Sequence, residues 1–127
     1  MSEKTVAQKL MVKAGQSLVL LNAPESYRER LQDLPKDVSV STKLGGDAEV
    51  IQYFVTSKKE LEKALPKLKA AASPKTILWI AYPKGTSKVR TDIHRDIIRE
   101  HAESLGMKTI ALFSIDETWS SFRLKIR

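Results

Sequence analysis

The segment Pro83-Lys84-Gly85-Thr86-Ser87-Lys88 packs two ammonium groups, two hydroxyls and a glycine into six residues. Placed between a strand and a helix N-terminus, it can hold a phosphate or carboxylate, because the first-turn amides of a helix are unpaired and the dipole favours an anion. The G-x-x-x-x-G-K-[ST] spacing is absent, so this is not a Walker A loop. Asp116 and Glu117 are adjacent carboxylates, and general acid–base work would need one of them desolvated beside a reacting proton. Turn chemistry and surface ion pairing account for both more simply, and that is the expected role. His94 and His101 are seven residues apart on one expected helix, about 10.5 Å along its axis at 1.5 Å per residue. That is too far to share a metal ion, and the chain has no cysteine, so no metal site is expected. No G-x-S-x-G elbow is present, and no residue is assigned as catalytic. Arg123, Lys125 and Arg127 alternate along the last expected strand behind Trp119, a pattern that can bind phosphates and stack a base. They are expected instead to pair with the acidic side of a helix over 91–105.

The charge that these residues belong to is unevenly placed. The 127 residues carry a net charge of +7. Residues 1–56 hold seven cations and seven anions and residues 91–127 hold six of each, while residues 57–90 hold nine cations and two anions. The whole excess therefore sits in the middle segment, as a Lys-rich helix and the loop ending at Arg90. Such asymmetry points to an anionic partner or to a solvated helix face. The length and a hydrophobic share of 42% fit one soluble α/β domain over 1–127. No apolar run reaches the roughly 18 residues of a membrane helix, the first residues do not read as a signal peptide, and a cytoplasmic location is expected.

The elements that must position these residues alternate between strand and helix. Val6, Leu10 and Met11 predict a lead-in helix ending near Gly15. The run 17–22 predicts a strand buried on both faces. Asn22 and Glu25 predict an N-cap and capping box for a helix carrying Tyr27, Leu31 and Leu34, stopped by Pro35. Residues 37–43 predict a weak edge strand, 45–47 a turn and 49–56 a stronger strand. Ser57 and Glu60 predict a second capping box, opening a helix with Leu61, Leu65, Leu68 and Ala72 on one face and a kink or break at Pro66. Residues 75–82 predict the clearest buried strand. Thr91 is the expected cap of the next helix, with Asp92–Arg95, Asp96–Arg99 and Arg99–Glu103 as ion pairs and Gly106 as its end. A hairpin of strands over 107–115 and 118–127 closes the chain.

The blocks LLNAPESY (20–27), LWIAYPKGTSKVRTDIHRD (78–96) and SIDETWSSFRLKIR (114–127) make the chain resemble a family of small, uncharacterised bacterial proteins. That family is a domain of unknown function, similar to a shortened Rossmann-like methyltransferase. The resemblance implies a lead-in helix, methyltransferase-type strands with one βα unit missing, and a final antiparallel strand. It implies no activity. A methyltransferase grips S-adenosylmethionine with a glycine-rich turn after the first strand and an acidic residue near the end of the second. Here those places hold Asn22-Ala23-Pro24-Glu25-Ser26 and Val38 to Lys43, with no glycine and no carboxylate at the second strand's end.

The expected architecture is thus a three-layer α/β sandwich with a mostly parallel, methyltransferase-type sheet of about six strands and a final antiparallel strand. The expected function is a non-catalytic or cofactor-free domain. It binds an anionic small ligand or partner at the carboxyl edge of the strands, through Asn22, Glu25, Lys84, Gly85, Ser87, Lys88, Asp116, Glu117 and Trp119. Two alternatives are a divergent S-adenosylmethionine-dependent methyltransferase using the same cleft and nucleic-acid binding through the basic surface of 57–90. The sequence leaves the oligomeric state open.

Overall fold

The apolar runs assemble into one six-stranded sheet. The structure, a computed structural model, describes residues 6–31, 34–44, 48–73, 75–84, 92–116 and 118–126. In chain order the elements are α1 (Val6–Lys9), β1 (Ser17–Leu21), a 3-10 helix (Glu25–Leu31), β2 (Ser39–Ser41), β3 (Val50–Phe54), α2 (Lys58–Ala71), β4 (Ile77–Pro83), α3 (Arg95–Ser104), β5 (Met107–Ser114) and β6 (Trp119–Ile126). The strand order is β2-β1-β3-β4-β6-β5. β2, β1, β3 and β4 run parallel, and β6 lies antiparallel between β4 and β5. The mostly parallel sheet with an antiparallel final strand is therefore as the sequence predicts. The order reverses between β1 and β3, which is the topological switch point.

Alternation along the strands divides the apolar side chains into two cores. Val19, Ile51, Leu78 and Ile80 face α2 and α3, where Leu61, Leu65, Leu68, Ile98 and Ala102 meet them together with Phe122 and Leu124 of β6. Leu18, Leu20, Val50, Phe54 and Trp79 face the other way, under Leu10, Tyr27 and Leu31. Each such aliphatic side chain contributes about 1.5–3 kcal/mol when fully buried. No helix among the described residues is long and apolar enough to cross a membrane.

The β2–β3 connection spans only residues 42–49 and shows no helix among its described residues. Parallel strands joined across a neighbour ordinarily use a dozen residues or more, with a helix among them. Leu44 and Ala48 instead lay the crossover directly on the α2-side core.

Several local expectations change. The lead-in helix stops at Lys9, and Met11 takes a left-handed conformation (φ 68°) where Gly15 was expected to end it. The segment after β1 is a 3-10 helix rather than an α-helix. Asn22 is not its cap. It sits at φ 58°, exposed, and the helix opens three residues later at Glu25, with Tyr27 N–H donating to Pro24 O at 2.9 Å. Asn tolerates that left-handed geometry better than most residues and so ends β1 instead.

α2 runs unbroken through Pro66, so two shorter helices do not form. Pro66 and Glu62, whose carbonyl loses its partner, are both exposed, so water can satisfy that oxygen while the buried leucine stripe holds the helix together. Half of the Ser57–Glu60 capping box forms as expected, with Glu60 N–H donating to Ser57 Oγ at 3.2 Å, while Glu60 Oε1 accepts from the amide of Thr56, one residue before the cap, at 3.1 Å. α3 begins at Arg95 with His94 as its N-cap, later than expected, and Thr91 lies outside the described residues. Of the three expected ion pairs only Asp96–Arg99 is formed among the described residues, at 2.8 Å. Asp92 has another task, accepting from the Lys58 N–H at the start of α2 at 2.8 Å.

Candidate functional site

The parallel strands end along one edge, and there the hairpin turn closes against β4. Lys84 N–H donates to Thr118 O at 2.7 Å, Pro83 stands opposite Trp119, and Ser114 stands opposite Ser120. Because neighbouring residues of a strand point to opposite faces, this edge has two sides with different contents.

On the α3 side, Tyr82, Lys84, Leu112 and Ser120 form one wall of a cleft of about 350 Å³, and His94, Arg95 and Asp96 form the other. Lys84 Nζ donates to Ser114 Oγ at 2.5 Å, which sets the ammonium group over the hairpin. The N-cap His94 makes no side-chain bond to the first turn of α3. That turn therefore has no side-chain acceptor from its cap, and its amides keep their attraction for an anion. The one carboxylate in the lining among the described residues, Asp96, is held by Arg99 at 2.8 Å. Burial raises the Tyr82 phenol above its ordinary 10.0, with Asp96 adding to the rise while Arg95 and a hydrogen bond from Ser120 oppose it. The phenol thus stays a neutral donor in the cleft at any physiological pH.

On the opposite side, Trp119 packs edge-on to Phe54 with ring centroids 5.1 Å apart, and Phe54 packs on Tyr27 at 4.7 Å. Trp119 covers the end of a core and does not share the Lys84 cleft. Asp116 is committed to the turn, its Oδ1 accepting from the Thr118 and Trp119 amides at 2.8 Å each. Asn22 and Glu25 are exposed at the end of β1, two strands away from β4. The expected single rim thus divides. Of its described members, Lys84 alone lines the cleft, while Asn22, Glu25, Asp116 and Trp119 serve elsewhere on the edge. Gly85, Ser87, Lys88 and Glu117 lie outside the described residues.

Tyr82, Arg95, Ser120 and Leu112 were not chosen from sequence. A signal for Tyr82 existed, since it precedes Lys84 by two residues on a strand and so shares its face. Arg123 is a correction of a different kind. Its side points away from α3, because Phe122 and Leu124 take the α3 side. It meets Met11, with Nη1 3.2 Å from Sδ, while its Nε is buried without a partner among the described residues. Lys125 shares that side and is exposed, and Arg127 lies outside the described residues.

A second hollow of about 330 Å³ lies between the short crossover and α2, lined by Leu21, Leu44, Tyr53, Lys63, Lys67 and neighbouring residues.

No protein-family model matches the chain, and no curated protein matches it. Solved structures do. The chain is similar to an S-adenosylmethionine-dependent methyltransferase from Aquifex aeolicus, with 12% identity, a TM-score of 0.62, and coverage of 96% of this chain and 90% of that one. It is similar to the B. subtilis M1A22 tRNA methyltransferase TrmK at 11% identity and TM-score 0.58, covering 98% and 67% of the two chains. A magnesium protoporphyrin IX methyltransferase from Synechocystis PCC 6803, solved with bound cofactor, matches at 11% and 0.58, covering 96% and 76%. The chain has a Rossmann-like fold of the methyltransferase type.

That fold implies S-adenosylmethionine, and the residues at the ends of β1 and β2 do not fit it. Asn22 reproduces a glycine-like φ but brings a side chain to the turn. The end of β2 offers Ser41, Thr42 and Lys43, all exposed, in place of a carboxylate for the ribose hydroxyls.

Proposed function

We propose that this chain is a methyltransferase-fold domain that binds a small phosphate- or carboxylate-bearing anion in the cleft between β4, β6 and α3, without an adenosyl cofactor. The observation that carries the reading is the convergence of Lys84, Arg95 and the side-chain-uncapped first turn of α3 on one cleft, in which the only lining carboxylate among the described residues is already paired. Two cations and a helix N-terminus attract an anion together, and the neutral Tyr82 hydroxyl adds a donor that repels no charge. Titration with inorganic phosphate and with acetate, followed by calorimetry, tests it. Lys84→Ala and Arg95→Ala are each expected to weaken binding about tenfold, the effect of losing one charge-assisted hydrogen bond. Binding unchanged in the double variant, or no binding by the parent chain, overturns the reading.

A second reading is a divergent S-adenosylmethionine-dependent methyltransferase. The solved neighbours support it better than they support an anion site, while the ends of β1 and β2 weigh against it. A ligand that binds the folded state raises the melting temperature. A rise with S-adenosylmethionine supports the enzyme, and none at saturating concentration removes it.

A further inference from the structure

The two edges of the sheet are unlike. β2 closes one edge with three residues, too few to template another strand. β5 closes the other with eight, and among the described residues only β6 pairs with it. Among the described residues its outer row of amides and carbonyls meets no further strand, and such a row is a template for one. From Thr109 to Ile115 the chain carries no charge. Two of the three exposed large apolar side chains among the described residues, Ile110 at 42% and Leu112 at 44%, lie on this strand. Open edges are ordinarily blunted by charge, proline, bulges or shortness; β5 has one bulge, between Thr109 and Ala111, and one charge, Lys108 near its start, which leaves Ala111–Ser114 without either.

We propose that β5 pairs antiparallel with β5 of a second copy of this chain, joining the sheets across a twofold axis. Centred on Ala111, the pairing sets Ile110 against the partner's Leu112 and Lys108 against the partner's Ser114, with Asp116 just beyond. A parallel alignment in register would set the two Lys108 ammonium groups side by side, so charge selects the antiparallel form. The pairing is isologous, as a twofold dimer requires. An axis normal to the sheet keeps α3 of both copies on one side. Leu112 also lines the Lys84 cleft, so the proposed seam runs beside that cleft. The dimer itself does not rest on the anion-binding reading.

Sedimentation velocity and light scattering on the full chain, over a concentration series, test the pairing. Ile110→Lys and Leu112→Lys place a charge on the proposed seam at positions already exposed, and circular dichroism checks that both variants fold. The parent chain is expected at twice the chain mass and each variant at the single mass, with the outward β5 amides protected from hydrogen exchange only in the dimer. A single mass for the parent at every concentration overturns the proposal. So does dimer mass retained by both folded variants, since the contact then lies elsewhere. Neither measurement involves an anion, so failure of the cleft reading leaves this result standing.

Discussion

Gln52 donates its side-chain amide to the hydroxyl of Ser121 at 3.0 Å, joining β3 to β6 across the intervening β4. Its oxygen accepts from Tyr27 O–H, so one buried amide ties the 3-10 helix and two non-adjacent strands together. Strands lie about 4.8 Å apart, and the reach across two spacings passes Ala81, whose methyl leaves room. An unbonded buried amide is costly, whereas a bonded one fixes register.

Replacing Gln52 by Leu removes both bonds and leaves Ser121, fully buried, without the Gln52 amide. A loss of about 1–3 kcal/mol is expected. Urea unfolding of the variant reads it as a lower midpoint at unchanged slope.

Asp92 is expected to act as a remote cap, because its carboxylate accepts from the first-turn amide of α2 at 2.8 Å although it lies just before α3. Asp92→Ala then costs about 1 kcal/mol, and Asp92→Asn keeps most of it. Equal losses in the two variants, measured by thermal unfolding, would contradict this.

The buried Tyr82 phenol gives stability a pH dependence. Its folded-state pKa lies above the unfolded 10.0, so its contribution is intact below pH 10. It is lost as pH rises through the folded-state value, since the unfolded chain releases that proton first. Tyr82→Phe should flatten the alkaline fall in melting temperature. An unchanged alkaline limb in the variant would refute the assignment.

Trp119 and Lys84 can be separated by measurement. Trp119→Ala is expected to lower stability by about 2–3 kcal/mol, below the range for a fully buried Trp, because the side chain is only half-buried on Phe54. Phosphate affinity should stay within twofold, because Trp119 faces the side of the sheet away from the cleft. A loss of binding as large as that of Lys84→Ala would return Trp119 to the site.

Much of the fold was legible because its causes are local. Apolar runs at 17–22 and 75–82 could only be buried strands, and Ser57 with Glu60 capped a helix from three residues' distance. Pro66 misled because the cost of a proline depends on whether the orphaned carbonyl reaches water, and that is decided by which side of the helix the sheet takes. Asn22 misled because the same residue suits both an N-cap and a left-handed strand end.

By itself, then, the sequence determined the order of strands and helices, the edge along which the unusual residues collect, and the segment that carries the +7. Only the tertiary structure decided which side of that edge each residue serves. Lys84 and Trp119 end one residue apart in register on neighbouring strands, yet point to opposite faces. Side chains alternate with a period of two, so a shift of one residue at the pairing of β4 with β6 carries a group from the cleft to the core. Pairing between distant segments is set by packing over the whole sheet, and no local pattern contains it.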